Sequence, residues 1–337
     1  MKLDLLAPSV VSLLPVLTFL TVLLYFDSYK LIRLRMVLGI VACGAAIAVV
    51  SYAINALAIT MLGIDVASYA RNVAPPIEEI LKGVVIVFLI RAHRIGFPVD
   101  AAICGFAVGT GFAMVENLYF LRAIPDAGMA TWIIRGFGTA FMHGGVTAIF
   151  AIMALVLRER ARGAGMLSML PGFAIAVVLH MGYNHLSAWP HAAAIGSILL
   201  LSLLLHAVFQ YSERAVGDWL GQGFDADAEM LELINSGQLS NSPVGKYLAR
   251  LNHRFRGPIV ADLLCYLRIY TELALRAKGM LLMRESGFDL PMDEATEAKF
   301  AELRYLETSI GKTGLRALKP MRHISDKELW QLNMLRE

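Results

Sequence analysis

Seven apolar stretches, separated by short polar connections, occupy the chain between residues 7 and 211. The first, residues 7–26, has the roughly 20 residues that a helix needs to cross a bilayer core, and no small-residue cleavage site follows it. The others run at about 36–62, 76–90, 100–122, 131–157, 168–188 and 191–211. Beyond Tyr211 the apolar excess ends. Helical patterning recurs near 225–236, 258–284, 293–310 and 325–335, with breaks at Asn235-Ser236-Gly237, Asn241-Ser242-Pro243 and Gly257-Pro258. The pattern predicts an all-α protein: a polytopic transmembrane bundle of about seven spans over residues 1–211, then a helical cytoplasmic domain over residues 212–337.

The third stretch departs from the others. Pro75-Pro76-Ile77-Glu78-Glu79-Ile80-Leu81-Lys82 opens it with two carboxylates and an ammonium. Each such charge costs roughly 2.5–3.5 kcal/mol at the centre of an inserted helix, so the cluster asks for a functional reason. The proline pair suits a first helical turn. Glu78 and Lys82 stand four apart and can neutralise each other, which leaves Glu79, about 100° around the helix, in need of its own partner. Adjacent carboxylates at an apolar wall suit general-base chemistry, and spacing does not say which of the two does the work.

Three more stretches carry polar groups. Phe112-x-x-x-Glu116 sets an aromatic ring and a carboxylate on one face of the fourth, with Asn117 beside them. His143 sits near the middle of the fifth, and His180-x-x-x-Asn184 puts imidazole and amide on one face of the sixth. The bland readings are an interfacial Glu116 near Arg122 and a satisfied core His143. Together the residues fit either of two hydrolytic chemistries. In one, Glu78 or Glu79 deprotonates a water that attacks a peptide carbonyl, while His143, His180 and Asn184 stabilise the oxyanion. In the other, Glu116, His143 and His180 bind zinc with one open position and a glutamate of the pair is the base. No His-Glu-x-x-His occurs to strengthen the zinc reading.

Composition agrees with a membrane protein: 57% of residues are hydrophobic and the mean hydropathy is +0.61. The net charge of +3, without a dense Lys/Arg cluster, argues against nucleic-acid binding. Cys43, Cys104 and Cys265 sit singly in apolar or helical runs and read as small buried hydrophobes, not as a disulfide framework. Glycines at 105, 109, 111, 136, 138, 144 and 145 read as close-packing positions of a helix bundle. Connections holding Lys30, Arg33 and Arg35, then Arg91 and Arg94, then Arg158, Arg160 and Arg162 alternate with segments holding only Lys2, Arg71 or Arg122. The positive-inside rule then predicts an N-terminus outside and a cytoplasmic C-terminus.

Glu78-Glu79-x-x-Lys82, Phe112-x-x-x-Glu116-Asn117, His143 and His180-x-x-x-Asn184, in this order across four apolar helices, resemble the PrsW family of bacterial intramembrane proteases, distant relatives of the CAAX prenyl endopeptidases among glutamic-type enzymes. The similarity covers roughly residues 15–210. It implies an endopeptidase of the bacterial cytoplasmic membrane that cuts single-pass proteins within the lipid bilayer, with release of an anti-sigma factor in stress signalling as one role. It also implies Glu78, Glu79, His143 and His180 as catalytic, with Lys82, Glu116, Asn117 and Asn184 in support. The rival is a transporter whose Glu/His chain relays protons, or a scaffold. A transporter of inverted repeats would show two similar halves, and no second Glu-Glu-x-x-Lys is present.

Overall fold

The computed structural model describes residues 6–161, 165–288, 292–318 and 326–336. Lys2, Arg162 and residue 325 fall outside them. Thirteen α-helices and no strand occur among the described residues. Those of the apolar half are α1 (Leu6–Phe26), α2 (Leu34–Leu62), α3 (Val66–Asn72), α4 (Ala74–Arg91), α5 (Pro98–Ala123), α6 (Met129–Ile134), α7 (Ala140–Arg160), α8 (Leu170–His185) and the start of α9 (Pro190–Asn235). Among the described residues six helical stretches are long and apolar enough to cross a membrane; α4 is the seventh of the predicted set and drops from that count because Glu78, Glu79, Lys82 and Arg91 sit in its 18 residues.

The chain divides into two compact units, one holding the chain up to Asp27 with Ile32–Ser212, the other Ser28–Leu31 with the chain from Glu213 onward. The division falls inside α9, whose 46 residues continue well past the predicted end of the last span at 211. Hydropathy changes there but backbone preference does not, because Ser212-Glu213-Arg214-Ala215 contains no helix breaker. The second unit also contains α10 (Pro243–Leu251), α11 (Gly257–Glu285), α12 (Glu294–Leu318, broken at Gly311 with φ 63°) and α13 (Asp326–Arg336). Sequence patterning treats Asn241-Ser242-Pro243 as a break only. It is the start of α10, with Pro243 in the first turn and the Ser242 hydroxyl accepting from the Gly245 N–H at 3.1 Å. Two of the three cysteines also correct the expectation: Cys104 is buried, whereas Cys43 and Cys265 are exposed. For Cys43 the reason is that an apolar helix face turned to lipid is as apolar as one turned inward, so hydropathy does not separate the two; Cys265 lies on the exposed face of α11.

In the first unit α5 is the central helix, with nearly nine-tenths of its apolar window buried. Glycines let its neighbours approach at backbone distance. A Cβ on Gly111 would stand 1.9 Å from the Val41 carbonyl oxygen of α2, and one on Gly109 would stand 2.2 Å from the His143 carbonyl oxygen of α7. The Gly109 contact sets where His143 lies relative to Phe112 and Glu116, which follow one and two turns later on the same face. Gly109→Leu is expected to lower stability by about 1–3 kcal/mol or prevent folding, because backbone cannot yield as a flexible side chain can. Thermal unfolding in detergent checks this; a transition unchanged from the parent protein would refute the close-packing role.

Candidate active site

Pro75 and Pro76 fix the first turn of α4, and the next turns present Glu78, Glu79 and Lys82. Lys82 is fully buried, its Nζ 2.5 Å from Glu79 Oε1, 3.2 Å from His143 Nδ1 and 4.9 Å from the centre of the Phe112 ring. An ammonium only donates, so His143 Nδ1 accepts and its Nε2 carries the proton, which goes to Glu116 Oε2 at 3.0 Å. By the same logic His180 Nδ1, 2.8 Å from Glu79 Oε1, carries a proton, and Nε2 turns its lone pair toward Glu78 Oε2 at 3.8 Å. The imidazoles meet edge to face with centroids 4.8 Å apart. Glu78, Glu79, Lys82, Glu116, His143 and His180 thus form one continuous set of contacts drawn from α4, α5, α7 and α8.

The pairing within α4 corrects the sequence expectation. Lys82 neutralises Glu79, three residues back, rather than Glu78, four back; both spacings make helix neighbours, and the buried face selects Glu79. Glu78 finds its partner elsewhere: Asn55 of α2 donates to its Oε1 at 3.3 Å, and the buried Tyr69 of α3 donates to the Asn55 side-chain Oδ1 at 2.8 Å. Sequence reading passed over both. Asn55, a lone amide inside the second apolar stretch, was the available signal. Glu78 is also the more accessible acid, its side chain 14% exposed against 2% for Glu79.

Arg135 was missed as well. Its NH2 lies 3.3 Å from Glu116 Oε2, its Nε donates to Asn117 Oδ1 at 2.9 Å, and its guanidinium stacks 3.8 Å from the centre of the Phe120 ring. It opens a π-helical turn, Arg135–Thr139, between α6 and α7. Eight residues separate Arg135 from His143, about 80° out of line in a regular helix. The π turn absorbs one residue, so they behave as seven apart, about 20° out, and both reach the same Glu116 oxygen. Asn117 donates in turn to the Ser12 carbonyl of α1 at 2.8 Å. Asn184 is not brought into the cluster: its amide donates to the Ala70 carbonyl of α3 at 2.9 Å.

One oxygen of Glu78 and one nitrogen each of His143 and His180 lie within 4.8 Å of one another, the group best placed to hold a metal ion. The sequence reading gave this place to Glu116, which is instead bound to Arg135 and His143 Nε2. The donor set fits a divalent metal. Two imidazoles and a carboxylate make three ligands, and each imidazole is held through its other nitrogen by a carboxylate, Glu116 or Glu79. Lys82 donates to His143 Nδ1, the ring nitrogen that Glu116 leaves free.

No curated protein and no solved structure matches the chain. Residues 33–217 match the PrsW family intramembrane metalloproteases. That match takes in α2 through α8 and every residue of the cluster. Set in an apolar multi-pass bundle, it makes the chain a membrane-embedded peptidase and a member of the PrsW family of intramembrane metalloproteases.

Proposed function

We propose that the protein hydrolyses a peptide bond of single-pass proteins in a bacterial cytoplasmic membrane. Glu78, His143 and His180 form the reacting centre, and Glu79, Lys82, Glu116, Asn117 and Arg135 hold them. The observation that carries this reading is the approach of Glu78, His143 and His180 ligand atoms to within 4.8 Å inside an apolar bundle. These three residues would hold a divalent metal, zinc in the first instance, which when bound acidifies a water and polarises the scissile carbonyl. Glu116 and Glu79 accept the remaining ring protons of His143 and His180, fixing tautomer and orientation. By family resemblance, an anti-sigma factor in stress signalling is the substrate to test first.

A second reading, glutamate catalysis without metal, is favoured by Lys82 Nζ standing 3.2 Å from His143 Nδ1. There Glu78 takes a proton from a water that hydrogen-bonds both its carboxylate and His180 Nε2, which are 3.8 Å apart. The water oxygen attacks the carbonyl carbon and the Lys82 ammonium donates to the oxyanion. Glu78 then returns the proton to the leaving nitrogen as the C–N bond breaks.

Glu78→Gln keeps size and removes basicity, so cleavage should fall by about 100-fold or more with insertion and folding retained. Glu79→Gln should lose cleavage too, through Lys82 and His180. Normal cleavage by both variants would overturn the assignment. Zinc analysis separates the two chemistries: stoichiometric metal lost in His180→Ala, with activity abolished by chelator, supports the metal centre. Full activity in metal-free protein supports the glutamate form.

Arg135→Gln should reduce turnover roughly 10–100-fold by removing the guanidinium that holds Glu116 alongside His143. If Arg135 acts through Glu116, adding the change to Glu116→Gln should cost little more, since effects within one network are not additive. Full additivity in kinetics of the four proteins would make Arg135 independent of the cluster.

The reacting residues lie near the helix ends that border loops poor in Lys and Arg. Glu116 is about 10 Å from the end of α5 and His180 about 8 Å from the end of α8. On the positive-inside assignment, N-terminus outside and C-terminus cytoplasmic, that is the extracytoplasmic side. The scissile bond should therefore lie in the extracytoplasmic juxtamembrane stretch or outer half of the substrate's span. Mass spectrometry of the new terminus checks this, and a cut on the cytoplasmic side would overturn either the topology or the site.

A further inference from the structure

Between α4 and α8 lies an apolar cleft of about 640 Å³. One wall is a single face of α4 running from Ile80 through Gly83, Val84, Val87 and Phe88 to Arg91, positions that recur at helical spacing. The facing wall includes Leu170 and Phe173 of α8. Phe150 of α7 is the floor, packed so closely that a Cβ on Gly83 would stand 3.3 Å from its ring. Val84, Phe88 and Leu170 are more than half exposed to the surroundings of the bundle.

Apolar clefts on a membrane protein ordinarily take acyl chains. This one differs in where it ends. Ile80 directly follows Glu79, and His180 lies two turns beyond Phe173 on the same face of α8. The two walls are joined at that end by the 2.8 Å contact of Glu79 and His180. From Ile80 to Arg91 the cleft extends about 16 Å, roughly half of a 30 Å hydrocarbon layer. A substrate cut in the outer half of its span keeps at least about 15 Å of that span uncut, so the cleft is long enough to hold the part next to the cut. Ile80, Gly83, Val84, Val87 and Phe88 offer no side-chain hydrogen bond, so a polypeptide lying there must satisfy its backbone internally, which in lipid means a helix.

We propose that this cleft docks the membrane-spanning helix of the protein substrate, apolar along the docked face, and delivers its end to the Glu79 and His180 pair. The proposal rests on the peptidase reading above and deepens it by naming the surface that holds the substrate.

The test measures docking without requiring cleavage. The full chain, with Cys43→Ser and Cys265→Ser and with Val84→Cys carrying a tryptophan-quenched fluorophore, is reconstituted in phosphatidylcholine vesicles. The probe is a Lys-flanked synthetic peptide of about 20 Leu and Ala residues with a central Trp. Quenching at Val84 should saturate, half-complete at a peptide density roughly tenfold below that needed at Leu38→Cys, an exposed position on α2. Phe88→Cys should behave as Val84→Cys does, and Val87→Phe, which fills the cleft, should shift the midpoint up roughly tenfold. Brominated phosphatidylcholine should quench the Val84 label less once peptide saturates. Linear, equal quenching at Val84 and Leu38, with the bromolipid signal undiminished, would assign the cleft to acyl chains and overturn the proposal. A protein that docks the peptide yet cleaves nothing would refute the peptidase reading alone. One that cleaves membrane proteins without saturable quenching at Val84 or Phe88 would refute the cleft alone.

Discussion

A fully buried lysine is the constraint from which the arrangement of the bundle interior follows. Removing an ammonium from water costs several kcal/mol even after relaxation, and the cost is offset only by excellent geometry. Lys82 obtains it from Glu79 at 2.5 Å, the His143 lone pair at 3.2 Å and the Phe112 face at 4.9 Å. Each partner is thereby committed: Glu79 turns inward instead of Glu78, and His143 must carry its proton on Nε2. That proton then requires an acceptor, which is Glu116, and Glu116 brings Arg135. One buried cation propagates through five side chains, because in an apolar interior no member can be left unpaired without a penalty of roughly 3–5 kcal/mol.

The sequence exposed much of this, for a physical reason. A membrane solvent makes every ionisable residue in a span conspicuous, so Glu78, Glu79, Lys82, Glu116, His143 and His180 stood out from their neighbours, and the helices themselves followed from hydropathy and length. Pairing was less legible. The spacings i+3 and i+4 are both neighbours on a helix, and only the direction in which α4 faces its bundle decides that Lys82 takes Glu79. Arg135 stayed hidden because a regular helix turns it away from His143, and the π turn that realigns them has no local sequence signature beyond Gly136 and Gly138. Asn184 shows the converse: correct helical spacing from His180 did not bring its amide into the cluster, since α3 supplied a nearer carbonyl.

The same logic explains why α5 is so rich in small residues. The cluster requires α5 and α7 close enough for Glu116 to reach His143 at 3.0 Å, and a carboxylate side chain is short. Gly109 against the His143 carbonyl permits that approach, and Gly111 permits the equivalent one to α2, which carries Asn55 to Glu78. Between helices in lipid there is no hydrophobic drive to close the gap; close backbone packing and the polar contacts it allows must supply the affinity. The geometry of the polar cluster and the stability of the bundle therefore rest on the same glycines.

Against these buried contacts stand the exposed ones made by α3. α3 has seven residues; Asn184 of α8 donates to its Ala70 carbonyl at 2.9 Å, and its Arg71 donates to Ser187, just past the end of α8, at 3.3 Å. Both are exposed hydrogen bonds, each with a net worth of about 0.5–1.5 kcal/mol, because water replaces them readily when they break. The contacts around Lys82 are buried and water cannot substitute for them at comparable cost. Hydrolysis inside a membrane needs a site that holds its charges in fixed register and yet admits water and an unwound peptide at one boundary. Buried pairing at the α4, α5 and α7 junction meets the first demand, and the exposed contacts of Arg71 and Asn184 are the ones that water replaces at least cost.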